Sequence, residues 1–132
     1  MNKGPKANVM LNLWQNGAML MVYGISNCDT VRQARAWLAD HGLAYEFHDY
    51  KKHRVPAQKL LAWEKAVGWE KLLNRQGTTW RKLEPNVQSA TVDAASAMVV
   101  MQAHPSVIKR PVVEWDGQVS VGLDTKSWAA RL

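Results

Sequence analysis

One side chain in this sequence is a soft nucleophile. Cys28 is the only cysteine among 132 residues, which excludes an internal disulfide and any multi-cysteine zinc site. A lone thiolate can attack an electrophilic sulfur or an oxyanion and hold the product covalently. It cannot resolve that adduct itself, because Val31 stands where a Cys-x-x-Cys motif would need its second thiol. The resolving thiol must come from outside, and glutathione is the abundant one in a reducing cell interior. Residue types that bind such an anion are also present. Arg75 and Arg81 lie in residues 74–82, a stretch rich in turn formers, hydroxyls and cations, and Arg110 immediately precedes Pro111. A guanidinium meets a carboxylate or oxyanion through two parallel N–H bonds.

The elements around Cys28 decide whether its sulfur is reactive. Residues 19–23 are a short apolar run of strand length, and Gly24, Ser26 and Asn27 are turn formers. After Cys28, the residues Val31, Ala34, Trp37 and Leu38 recur at helical spacing, and Gly42 stops the helix. This places Cys28 in the first turn of a helix that follows a buried strand. The free N–H groups and the dipole of a helix start favour a thiolate over a thiol by roughly 0.3–1 kcal/mol, up to ~2 when partly buried. Stronger activation needs arginines brought in from other segments. The competing assignment is a small buried hydrophobe without chemistry.

The remaining chain supplies a scaffold of the right kind. Residues 44–50 alternate as a strand, so strand, helix and strand form a βαβ unit with parallel strands. His48 on the second strand is read as structural or exposed rather than catalytic. Pro56 opens a helix with Leu60, Leu61, Trp63 and Val67 inward, Gly68 closes it, and residues 69–73 add a short helical piece. Residues 74–82 read as a loop. Thr91 reads as the N-cap of a helix reaching Gln102 with Val92, Ala95, Met98 and Val99 inward. Residues 111–115 and 118–121 are strands joined by Asp116-Gly117, the strongest short hairpin signal in the chain. Residues 123–132 form a last helix with Trp128 inward. One βαβ and one hairpin complete an α/β fold with a four-stranded mixed sheet, thioredoxin-like in outline. In it Pro111 can be cis, which would set the Arg110–Pro111 backbone opposite the loop that carries Cys28; an ordinary trans proline opening an edge strand is the alternative.

Composition bounds the rest. With 47% hydrophobic residues, the chain can build a core in one domain, expected over residues 19–132. Residues 1–18, basic and interrupted by Asn12, Gln15, Asn16 and Gly17, are expected to be a disordered extension rather than a signal peptide. No apolar run reaches the roughly 20 residues of a membrane span, and one cysteine fits the cytoplasm. The net charge of +6 is scattered, with one dense run, Lys51-Lys52-His53-Arg54, and no accompanying nucleic-acid motif. Nucleic acid is therefore disfavoured as a partner, and small anions are favoured.

Three separate stretches, residues 21–30, residues 72–83 and residues 108–113, together resemble the ArsC/Spx (arsenate reductase-like) family, most of all its YffB-like subgroup. The resemblance implies a glutaredoxin-type thioredoxin fold with a helical insertion between the two halves of the sheet. It implies Cys28 as catalytic nucleophile and Pro111 as the cis-proline. It implies Arg110, Arg75, Arg81 and Asn27 as substrate or anion contacts, with Arg75 matched approximately and Arg81 not supplied by the arsenate reductases themselves. Gly24 stands where those enzymes carry a histidine, and Gly122 near where they carry a third arginine. The expected activity is therefore a glutathione-dependent thiol reductase in the cytoplasm. It is expected to act as a monomer, with glutathione as co-substrate, glutaredoxin as a partner, and no bound cofactor or metal. A true arsenate reductase, a Spx-like regulator that binds RNA polymerase, and a non-catalytic domain with buried Cys28 are the alternatives. A thiol probe on Cys28 separates the first from the last.

Overall fold

The computed structural model describes residues 20–132; the expected extension over residues 1–18 lies outside them. In chain order the elements are β1 (Leu20–Gly24), α1 (Asp29–Asp40), β2 (Glu46–Asp49), α2 (Ala57–Val67), α3 (Trp69–Leu72), α4 (Thr78–Arg81), α5 (Pro85–Ala90) and α6 (Ala94–Ala103). After them come a 3₁₀ turn (Pro105–Val107), β3 (Val112–Trp115), β4 (Gln118–Val121) and α7 (Thr125–Ala129). The sheet order is β2-β1-β3-β4. Both β1–β3 and β3–β4 are antiparallel, and the sheet as a whole is mixed, as expected for a thioredoxin-like fold. The described residues fall into two compact units. Residues 20–48 with 110–132 form a sheet unit, and residues 49–109 form a helical unit.

In the sheet unit, alternation sorts side chains onto two faces. Leu20 and Val22 of β1 and Val113 and Trp115 of β3 pack with Ala34 and Leu38 of α1 and Trp128 of α7. Trp128 is buried, and its indole N–H donates to Ser120 Oγ at 3.0 Å, so the ring fills the core without orphaning its donor. The β3–β4 turn has φ of 52° at Asp116 and 81° at Gly117. Both residues are left-handed, the geometry that matches strand twist in a two-residue hairpin.

The helical unit is built around Leu60, Trp63, Leu72, Ala97, Met101, Val107 and Ile108, all of them buried. Here several sequence expectations need correction. Leu61 is exposed, not inward. Residues 74–82 are not wholly loop, because Gly77 caps the short α4 and Trp80 is buried. The helix α5 was not expected; Pro85 occupies its first turn, where a missing N–H costs nothing. Thr91 closes α5 with its hydroxyl on the Val87 carbonyl at 2.9 Å. The cap of α6 is Asp93, which accepts from Ser96 N at 2.9 Å while Ser96 Oγ accepts from Asp93 N at 3.1 Å. The inward face of α6 is Ala97, Val100 and Met101, and Val92, Ala95 and Val99 face outward.

Candidate active site

Cys28 lies at the helix start, where the sequence places it. It is the N-cap of α1, with extended backbone (φ −111°, ψ 127°) and no side-chain capping hydrogen bond. Its backbone is held at both ends of the turn: its N–H donates to the Ile25 carbonyl at 3.3 Å, and its carbonyl accepts from Arg32 N at 2.9 Å. The sulfur is thus not used in capping, and the residue is half-buried, as a free thiol. An N-cap side chain stands beside the orphan N–H groups of the first turn, the place where negative charge is stabilised. Asp29 follows in that turn, and its carboxylate is paired with Arg32 on the exposed side of α1.

Why the chain turns here is a matter of packing. A Cβ built on Gly24 would lie 2.7 Å from Val31 Cγ2, and Val31 is fully buried. No side chain fits between the end of β1 and the first turn of α1. Ile25 is buried, and Ser26 and Asn27 are exposed in the turn that delivers Cys28.

The register of β1 against β3 brings the second part of the site. Tyr23 is opposite Val112, so the segment Arg110–Pro111 enters β3 alongside the end of β1, from which the turn to Cys28 departs. The Arg110–Pro111 peptide is cis. Pro111 is buried and its carbonyl accepts from Gly122 N at 2.8 Å, which ties the loop to the end of β4. Gly122 has φ of 88°, a conformation that favours glycine over any side chain. Arg110 is partly exposed.

Arg75 and Arg81 belong to the helical unit, and both are exposed. Arg75 follows Asn74, whose Oδ1 accepts from Gln76 N at 3.1 Å, and its guanidinium lies 5.1 Å from the centre of the Trp69 ring. Arg81 is the last residue of α4. Cys28, Asn27, Arg110 and Pro111 are thus together in the sheet unit, and Arg75 and Arg81 are held by separate turns of the other.

Sequence reasoning missed Tyr23. On the sheet face opposite the α1 core, its hydroxyl donates to Glu114 Oε1 at 3.0 Å, and its ring is 5.2 Å from that of His48. Burial, then the Glu114 charge and hydrogen bond, push its phenol well above the ordinary tyrosine range. The signal was the alternation itself: Tyr23 and Glu114 share the face that Leu20 and Val22 leave. Among the described residues no group of three or more His, Cys, Asp or Glu side chains could hold a metal ion. No helix among them is long and apolar enough to cross a membrane.

Comparison with known proteins places this geometry among relatives. The model of the ArsC family matches residues 23–131. An uncharacterised protein of Haemophilus influenzae is 39% identical, with 85% of this chain and 97% of the relative covered. The solved structure of a protein named YFFB is 45% identical, covers 85% of this chain and 97% of its own, and superposes with a TM-score of 0.81. An arsenate reductase (ArsC) related protein from Brucella melitensis is 53% identical, with coverages of 85% and 92% and a TM-score of 0.67.

Proposed function

The chain belongs to the ArsC family, and from that premise we propose that it is a glutathione-dependent monothiol reductase whose nucleophile is Cys28. The observation that carries the reading is the position of the sulfur. It is free of capping duty at the start of α1, in the same unit as the Arg110–Pro111 peptide. In the first step the Cys28 thiolate attacks the glutathione sulfur of a mixed disulfide. A Cys28–glutathione disulfide forms and the substrate leaves as a thiolate. In the second, a glutathione thiolate attacks that adduct, releasing glutathione disulfide and restoring the Cys28 thiolate. The incoming glutathione thiol is oxidised as the substrate sulfur is reduced, the glutathione sulfur already in the mixed disulfide stays at the disulfide level, and no second protein cysteine is needed.

Arg110 and Asn27 are assigned to the carboxylates of glutathione, Arg110 through planar paired N–H bonds. Arg75 and Arg81 are assigned to the same task on the resemblance alone. Glutaredoxin is the proposed protein partner, and a reducing cytoplasm the proposed setting, with the chain acting as a monomer. Arsenate is a poor substrate in this reading. A compact anion needs several donors at once, and Gly24 and Gly122 bring no side chain where arsenate reductases have one. Each missing charge-assisted contact costs about 1.5–3 kcal/mol, roughly ten- to a hundredfold in binding.

The test is mass spectrometry after incubation with oxidised glutathione. A single adduct on Cys28, lost in Cys28→Ser and reversed by reduced glutathione, is expected. No adduct on folded protein overturns the glutathione half, and efficient arsenate turnover with glutathione and glutaredoxin overturns the substrate half. A second reading has one observation in its favour: the Spx global transcriptional regulator of Streptococcus agalactiae is 24% identical over 80% of this chain and 77% of its own. Co-purification with RNA polymerase distinguishes it.

A further inference from the structure

We propose that the outer surface of α5 and α6 is a docking site for an acidic protein segment carrying apolar anchors. The surface is unusual in what it lacks. Over residues 85–104 the only acidic or basic side chain besides His104 is Asp93, and that carboxylate is engaged in capping α6 through Ser96. Elsewhere the helical unit's exposed helices carry charge, as with Lys65 and Glu64 on α2 and Glu70 and Lys71 on α3. Along α5, α6 and their connection the exposed residues are uncharged apart from Asp93 and His104: Val92 in the connection is 68% exposed and Val99 on α6 66%, with the polar Asn86 and Gln102 at the two ends. Between the helices lies a groove of about 340 Å³ whose walls include Val87, Ala90, Val99 and Val100. Loss of charge at the centre of an exposed apolar patch is the compositional mark of an interface.

The flanks say what kind of partner fits. Arg54, from the Lys51-Lys52-His53-Arg54 run, donates to the Gln102 carbonyl at 3.3 Å, which fixes that basic loop at the C-terminal end of α6, one turn beyond Val99. At the other side, Gln88 of α5 donates to the Trp80 carbonyl at 2.7 Å, which ties α5 to the turn bearing Arg81 and Lys82. The acids of this surface are Glu84 and Asp93, the N-caps of α5 and α6. The helical unit as a whole has ten Lys and Arg against five Asp and Glu, so it carries +5 of the chain's +6. An apolar centre between basic flanks is complementary to an apolar stripe bordered by carboxylates. A second copy of this chain would set like flanks against each other. Nucleic acid would meet a centre with neither cations nor exposed aromatic rings, the groups it needs there.

The test uses the full chain and a fluorescein-labelled synthetic helix with Leu at i, i+3 and i+7 spacing and Glu elsewhere, read by fluorescence anisotropy. This peptide should bind at least about tenfold more tightly than one with Lys in place of Glu, or one with Ser in place of Leu. Val99→Asp and Lys52→Glu should each weaken it by about tenfold, with circular dichroism and the alkylation rate of Cys28 unchanged. Unaltered binding in folded Val99→Asp, equal binding of the Lys peptide, or no binding at ~1 mM each overturns the proposal. Displacement of the peptide by duplex DNA would assign the surface to nucleic acid instead. A sedimenting dimer abolished by Val99→Asp would assign it to self-association.

Discussion

The sheet unit and the helical unit solve the problem of exposure in opposite ways. The sheet unit packs Leu20, Val22, Val113 and Trp115 on one face, under α1 and α7, and puts a hydrogen-bonded pair, Tyr23 and Glu114, on the other. Its described residues hold five Lys and Arg against six Asp and Glu. The helical unit leaves Val92 and Val99 outside and holds the chain's excess of cations, ten Lys and Arg against five Asp and Glu. Chemistry at a thiol needs a rigid, register-fixed frame, whereas recognition of another chain needs an uncovered surface. In the proposed reading the nucleophile falls on one unit and the docking surface on the other.

The largest effect expected from breaking this contrast is in the cores. Trp128 of the sheet unit and Trp63 of the helical unit are both fully buried. Replacing either with Ala should cost about 3–5 kcal/mol in urea unfolding. Amide exchange should show the first loss in β3, β4 and α7 for Trp128→Ala and in α2 for Trp63→Ala. Next comes Gly24→Ala, whose new methyl meets a stiff β-branched side chain at 2.7 Å. A cost of about 1–3 kcal/mol is expected, with most of it recovered when Val31→Ala is added. Failure of that rescue would show that backbone, not Val31, sets the limit.

Smaller and opposite in sign are two pH effects. Folding raises the Tyr23 phenol, so its share of stability is complete below the unfolded value near ~10. That share is lost as pH climbs through the folded one. Tyr23→Phe should cost about 1 kcal/mol at neutral pH and flatten the alkaline fall in denaturation midpoint. Asp93 behaves in reverse. Ser96 holds its carboxyl below the ordinary range, so the cap contributes above the unfolded value near ~3.9 and is lost as acid titrates through the folded one. Asp93→Asn, which keeps a capping oxygen, should remove that acid sensitivity while leaving α6 helical by NMR.

What was legible in the sequence follows the same division. In the sheet unit, Val31, Ala34 and Leu38 mark α1 because polar residues separate them, and Asp116-Gly117 permits little but a tight hairpin. In α6 the periodicity misled. Ala, Met and Val surround the helix, so no polar face set its phase, and Val92, Ala95 and Val99 were placed inward in error. Thr91 and Asp93 are both good N-caps; only Ser96, three residues after Asp93, decides between them by completing the capping box. The helix α5 has the single apolar contact Val87 and left almost no periodic trace. The position of Cys28 at a helix start could be read from local turn chemistry, and the cis Arg110–Pro111 peptide only from the fold outline and the resemblance, since a proline opening a strand is by itself as readily trans. Tyr23 could not, since its partner is 91 residues away.

The tight seam between Gly24 and Val31 also bears on how far this chain stands from another chemistry. A histidine at position 24 is not a side chain waiting to be restored. Its Cβ would already collide with Val31 before the ring found any anion to bind. Position 122, with φ of 88°, resists a side chain for an unrelated reason of backbone geometry. A walk through single substitutions toward an arsenate-type pocket would therefore cross less stable proteins at each of these two positions. Selection for arsenate turnover starting from this sequence should recover small residues at position 31 before it recovers histidine at position 24.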